Sequence, residues 1–333
     1  MELSEFQYDL APASIAQHPA EPRDSARLLD TRDLADHEFS ALASLLNPDD
    51  LVVVNTTRVR RARLRGTRHG TGGSVELLLV SRRAQGGWTA LVSPARRMRP
   101  GVVITFGEVQ AVIIEGPDDG VVAVEFNDER HLEEIGTVPL PPYITEELDD
   151  PERYQTVYAD RVGSAAAPTA GLHFTPAVLA SLQQRGIRRA AVELEVGIGT
   201  FRPITADRIE DHVMHRERCR IIDETADAIA DTRQRGGRVV AVGTTTVRTL
   251  ETFARDDGTV DAGETETDLF LRPGSTFRVV DVLVTNFHVP GSSLLVMLAA
   301  FMGPEWKTAY DTALARGYRF LSFGDAMLCE RQS

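Results

Sequence analysis

The stretch RVVAVGTTTVRTL, residues 238–250, reads as a buried strand, a glycine and the opening of a helix. Arg238–Val242 is a short apolar run of the kind covered on both faces of a sheet. Gly243 marks the turn, and the threonines that follow suit a helix start. The same strand-to-turn pattern recurs along the chain. Leu51–Val54 leads to Asn55 and Arg58, Arg189–Val196 to Gly197-Ile198-Gly199-Thr200, and Phe277–Thr285 to Asn286-Phe287-His288. Helices are expected between these strands. One starts at Thr175-Pro176 and closes at Gly186, another runs from Asp223 to Arg235, and Ser292–Met302 and Glu305–Arg316 are the last two. Alternation of this kind predicts an α/β domain with a mainly parallel sheet.

Residues 65–142 have a different texture. VELLLVSR, WTALVSPA, VVITF, VQAVIIEG and VVAVEF are short strand-like runs separated by Gly72-Gly73, Gly86-Gly87 and Pro117–Gly120. They predict an antiparallel β-barrel inserted into the α/β layer. The expected division is therefore 1–64 with 143–333 as the α/β catalytic domain and 65–142 as the barrel. The segment Pro139–Pro142 would form a stiff junction.

The 333 residues carry a formal charge of −13, which argues against a dedicated nucleic-acid binder. The basic residues are clustered, however. Arg58, Arg60, Arg61, Arg63, Arg65 and Arg68 form one group, and Arg96, Arg97 and Arg99 another; Lys307 is the only lysine. Arginine forks suit phosphates and stack on bases; a solvated edge strand in an arginine-biased chain is the plain alternative. Neither a secretory signal nor a spanning segment is legible. Cys219 and Cys329 lack any paired spacing, so reduced thiols, a cytoplasmic setting and no structural zinc are expected.

The ligand signals lie at the strand ends. Gly243-Thr244-Thr245 would offer free N–H groups and hydroxyls to a phosphate or carboxylate, with Arg248 adding charge; simple threonine capping is the alternative. Gly197-x-Gly199-Thr200-Phe201-Arg202 carries only half of a dinucleotide fingerprint, so a nicotinamide cofactor is poorly supported. Its glycines still permit close backbone approach to a nucleoside, or form a plain turn. Asn286 and His288 end a strand where open α/β sheets bind ligands, and Phe287 would stack on a base or serve the core. PTAGLHFT (168–175) puts His173 in an uncharged, glycine-containing bend near Thr169 and Gly171. His212-x-x-His215-x-Glu217 is not a zinc-protease arrangement, and a polar pair at a cleft or on the surface suits it better. Phe323-Gly324-Asp325-Ala326-Met327 reads as a glycine-acid loop. No Walker motif or nucleophile elbow occurs.

Taken in order, these strings resemble the S-adenosylmethionine:tRNA ribosyltransferase-isomerases of queuosine biosynthesis. The resemblance is carried by YDLAPASIAQHPAEPRDSARLL (8–29), NTTRVRRARL (55–64), SPARRMRPG (93–101), LPPYI (140–144), RYQTVYA (153–159), APTAGLHFT (167–175), VGIGTFRPI (196–204), HVMHRE (212–217), AVGTTTVRTLE (241–251), LFLRPG (269–274), VTNFHVPGSSLL (284–295) and FLSFGDAMLC (320–329). It implies an α/β domain with an inserted barrel. It also implies transfer and isomerisation of the ribosyl part of S-adenosylmethionine onto 7-aminomethyl-7-deazaguanine at the tRNA wobble position. The products would be epoxyqueuosine, adenine and methionine.

S-adenosylmethionine is then the co-substrate, tRNA the partner, and no metal or redox cofactor is implied. The enzyme is expected to be cytoplasmic, monomeric and not membrane-bound. The sulfonium acidifies the C5′ hydrogens, so a side-chain base could start the reaction, and a proton donor would help adenine leave. His173, His215 and His288 match histidines of the family strings and are the catalytic candidates. The substrate-binding candidates are Asn55, Arg58, Arg96, Arg97, Tyr154, Gln155, Thr169, Gly171, Gly197, Gly199, Thr200, Arg202, Thr244, Thr245, Arg248, Asn286, Phe287 and Asp325. Thr56, Glu195 and Gly291 stand where the family usually has aspartate, histidine and lysine. Two other readings remain: a paralogue using S-adenosylmethionine on another acceptor, and a non-catalytic RNA-binding module.

Overall fold

Branched aliphatic runs become central strands where both faces can be covered. In the computed structural model, which describes residues 1–197 and 204–332, three such runs are buried at every position. The chain opens with β1 (Arg27–Asp30), β2 (Ala35–Glu38), α1 (Leu42–Leu45), β3 (Leu51–Asn55) and β4 (Thr57–Val59). There follow β5 (Arg63–Arg68), β6 (Ser74–Arg82), β7 (Trp88–Ser93), β8 (Val103–Phe106), β9 (Val109–Asp118), β10 (Val121–Phe126) and α2 (Leu132–Ile135). Then come β11 (Arg161–Ser164), α3 (Pro176–Gln184), β12 (Arg188–Leu194), β13 (Glu217–Ile221), α4 (Asp223–Gln234), β14 (Val239–Val242) and α5 (Thr244–Thr252). The last elements are β15 (Gly263–Thr267), β16 (Val282–Asn286), α6 (Ser293–Met302), α7 (Glu305–Ala315) and β17 (Ala326–Glu330).

The large sheet has nine strands in the order β15-β13-β12-β3-β14-β16-β17-β1-β2. Its centre, β12-β3-β14-β16, is parallel. β17 runs antiparallel to β16, and β13, β15 and β2 add antiparallel flanks, so the sheet as a whole is mixed. The two-residue period of a strand divides the core. Val53, Ala241 and Leu283 face one layer with Ile229 of α4, Leu250 of α5, Leu298 of α6 and Tyr310 of α7. Val52, Val54, Val240, Val242 and Val284 face the other, with Val178 and Leu182 of α3. Thr175 caps α3 as its sequence predicts, its hydroxyl accepting from Val178 N at 3.2 Å.

Two local expectations are corrected. The strand expected from Phe277 begins only at Val282, because the N–H groups of Arg278, Val279 and Val280 donate to the Glu251 carboxylate instead of a sheet ladder. Ala326 and Met327 belong not to a loop but to β17, a strand whose first four residues are buried.

Two compact units are present, Met1–Arg58 with Pro141–Ser333, and Val59–Leu140. The second contains a closed antiparallel barrel in the order β10-β7-β6-β5-β8-β9. Its arginine-rich strand β5 buries Leu64 and turns Arg65 outward. Leu77, Ala90, Ile104, Ile113 and Val124 fill the interior. Gly66 has no room for a side chain, since a Cβ there would lie 2.5 Å from the Phe106 ring. The barrel is thus a packed core.

Candidate active site

Because β3, β14 and β16 are parallel, their carboxyl ends share one edge of the sheet, the place where open α/β sheets hold ligands. A cavity of about 250 Å³ opens there. Its walls include Gly243, Thr244 and Thr245 after β14, and Thr285 to Val289 around the end of β16. Ala166 to Ala170, Val196, Tyr143 and Ser322 complete much of the rest. Gly243 has φ +84°, a conformation that favours glycine, and its N–H donates to Val284 O at 2.8 Å. The turn places the start of α5 at the cleft, with Thr244 and Thr245 of its first turn in the wall.

His288 lines the cleft and is fixed through its backbone. Its N–H donates to the Tyr310 hydroxyl at 2.8 Å, and its carbonyl accepts from the Tyr8 hydroxyl at 2.5 Å. Its Nε2 shares a 3.0 Å hydrogen bond with the Thr285 hydroxyl. Burial pushes its pKa down to about 3, so it is neutral near pH 7. His173 lies behind the wall. Asn286 Nδ2 donates to its Nε2 at 3.2 Å, while Asn286 Oδ1 accepts from the Thr169 hydroxyl at 2.9 Å. A nitrogen that accepts must be unprotonated, which agrees with a pKa pushed down by burial to about 4, against the opposing pull of Asp325.

Thr169, Thr244, Thr245, Asn286 and His288 therefore share one cleft. Other candidates have structural employment nearby. Asn55 clamps β3 to β12, donating to Leu194 O at 3.1 Å and to the Thr245 hydroxyl at 3.3 Å. The Asp325 carboxylate accepts from Arg27 N and Arg319 N at 3.0 and 2.8 Å. Tyr154 is buried edge-on against Phe323, and the Gln155 carbonyl accepts from Arg23 at 2.6 Å. Gly171 is required by packing, since a Cβ would fall 2.2 Å from the Tyr158 hydroxyl. Arg58 pairs with Glu152 at 2.5 Å. His215 is exposed and is not among the cleft-lining residues. Arg96 and Arg97 are exposed after β7.

Two expectations fail on direction. Arg248 does not reach for a ligand: its guanidinium is buried against the Glu217 carboxylate and also donates to Leu269 O at 3.2 Å. The Phe287 ring is not offered to a base. It is fully buried, with its centroid 4.6 Å from Phe320 and 5.4 Å from Tyr310. Gly197 is described and donates to Glu217 Oε1 at 2.7 Å, whereas Gly199, Thr200 and Arg202 lie outside the described residues. Sequence reasoning missed Tyr143, whose hydroxyl lies 2.7 Å from that of Ser322, and Thr285, which shares a strand face with Phe287 yet bonds His288. It also missed Glu217 as the partner of Arg248. Among the described cleft-lining residues, none is Thr56, Glu195 or Gly291.

The sequence model for the queuosine biosynthesis protein family matches residues 3–329. The chain belongs to that family. Among its relatives, the S-adenosylmethionine:tRNA ribosyltransferase-isomerase of Heliobacterium modesticaldum is 50% identical, over 98% of this chain and 99% of its own length. Those of Moorella thermoacetica and Desulfitobacterium hafniense are 49% and 45% identical with the same coverage. The crystal structure of the S-adenosylmethionine tRNA ribosyltransferase of Thermotoga maritima superposes with a TM-score of 0.55 at 38% identity, covering 97% of this chain and 99% of that one. These matches span both units, so the barrel is part of the family's common plan.

Proposed function

We propose that this protein transfers and isomerises the ribosyl moiety of S-adenosylmethionine onto 7-aminomethyl-7-deazaguanine at the tRNA wobble position, yielding epoxyqueuosine and releasing adenine and methionine. The observation that carries the reading is near-full-length identity of 45–50% to enzymes of that name. S-adenosylmethionine is the co-substrate, and no further cofactor is invoked.

The cleft supplies groups suited to the chemistry. The first amides of α5, with Thr244 and Thr245, suit the methionine carboxylate, because a helix start carries about half a positive charge. His288 is assigned as the base for a C5′ hydrogen on position: it lines the cleft, and its main chain is held on both sides. His173 acts through Asn286, orienting that amide within the wall. The exposed Arg96 and Arg97 are assigned to tRNA phosphates. The enzyme is taken as a monomer acting on cytoplasmic tRNA.

The test is direct. Protein incubated with S-adenosylmethionine and tRNA bearing the deazaguanine precursor should release adenine and produce a new nucleoside by mass spectrometry. No turnover, with an active relative as control, overturns the proposal. Adenine release without modified tRNA would point to another acceptor.

A further inference from the structure

The buried pair Glu217–Arg248 has no part in the chemistry above, yet it joins two walls of the cleft. Glu217 opens β13 and Arg248 lies in α5; their exposures are 5% and 6%. The carboxylate divides its oxygens. Oε1 accepts from Gly197 N at 2.7 Å, and Oε2 accepts from Arg248. Arg248 in turn donates to the carbonyls of Leu269 and Thr267 at 3.2 and 3.4 Å.

Beyond β12, Glu195 N still donates to Arg218 O of β13 at 2.9 Å, and the next two amides are taken by side chains. Val196 N donates to the Ser164 hydroxyl at 3.0 Å, and Gly197 N donates to Glu217. Val196 lines the cleft, and so do Thr244 and Thr245, one turn before Arg248 on the same helix. Burying two charges is costly, and a fold that needed only stability would do as well with apolar residues here. A carboxylate that spans both partners does something apolar residues cannot: it fixes the amide of Gly197 relative to α5.

We infer that Glu217, through its separate bonds to Gly197 and Arg248, is a positioning residue that sets the two cleft walls against each other and thereby governs affinity for S-adenosylmethionine. The inference rests on the reading of this cleft as the S-adenosylmethionine site.

Two double variants separate positioning from folding. Glu217→Met with Arg248→Met removes both charges and the acceptor for Gly197. Glu217→Gln with Arg248→Met removes both charges and keeps a carbonyl acceptor. Calorimetric titration with S-adenosylmethionine should show the first binding about tenfold more weakly or worse, and the second within about threefold of wild type. Affinity for tRNA should be unchanged in both. Equal S-adenosylmethionine affinity in the two variants, or parallel loss of tRNA affinity, overturns the inference. Should the first variant fail to fold, Glu217→Asp keeps the charge beside Arg248 but is one methylene too short to span both partners. It should show the same fall, and wild-type affinity in it overturns the inference. Wild-type protein that does not bind S-adenosylmethionine at all would instead remove the reading of the cleft, and the inference with it.

Discussion

Two buried neutral histidines, His288 in the cleft wall and His173 behind it, make the stability of the larger unit depend on pH. His173 and His288 have pKa values pushed down by burial to about 4 and about 3, from an ordinary 6.5. Below pH 6.5 the unfolded chain binds a proton at each site, while the folded chain does not. Stability is therefore lost as pH falls from about 6.5, and the loss levels off near pH 4 for His173 and pH 3 for His288. Each pH unit is worth about 1.4 kcal/mol per group, so at pH 5 each histidine costs about 2 kcal/mol relative to pH 7. Together they remove about 4 kcal/mol, a large part of a typical folding free energy.

Carboxylates titrate in the same range, so the informative quantity is a difference of differences. The two tryptophans lie one in each unit, Trp306 in the first and Trp88 in the second. In a Trp88→Phe background, Trp306 fluorescence during urea unfolding reports the larger unit. The loss of stability between pH 7 and pH 5 should be about 2 kcal/mol smaller in His173→Gln than in its parent. An identical pH dependence in parent and variant would refute the argument, because it would mean that His173 gains its proton in the folded state as readily as in the unfolded one.

Other consequences follow from contacts in the walls. Asn286→Ala leaves the buried His173 Nε2 without its donor and should cost roughly 1–3 kcal/mol in urea titration, with kcat falling at least about tenfold. Unchanged kcat would remove Asn286 from the site. Gly171→Ala drives a methyl against the Tyr158 hydroxyl and should destabilise by roughly 1–3 kcal/mol, seen as a lowered Tm; an unaltered Tm would show that the segment yields freely. Arg96→Ala with Arg97→Ala should weaken tRNA binding and reduce the salt slope by about 1.4–1.8, leaving S-adenosylmethionine affinity unchanged. Equal loss of both affinities would place the pair elsewhere.

The fold was legible where local pattern suffices. The glycine at 243 and the buried run before it give a strand and a turn without tertiary information. What pattern could not supply was direction. In β16, Leu283 enters one core layer and Val282 and Val284 the other, and Phe287, just past the strand's end, continues on the Leu283 side. Applied strictly, that alternation sends Phe287 to the aromatic cluster. Arg248 is harder, because its partner Glu217 is 31 residues away on an antiparallel strand. A guanidinium near a helix start looks like a ligand group until the carboxylate that neutralises it is found. Strand β17 was concealed for a similar reason: its pairing with β16 and β1 depends on residues distant in the chain.

The cleft at the carboxyl ends of β3, β14 and β16 is proposed to bind S-adenosylmethionine for ribosyl transfer. A crystal structure of the protein with S-adenosylmethionine tests it most directly. The methionine carboxylate is expected at the first amides of α5, beside Thr244 and Thr245, with the C5′ carbon facing His288. S-adenosylmethionine bound elsewhere, with Thr244, Asn286 and His288 untouched, would contradict it.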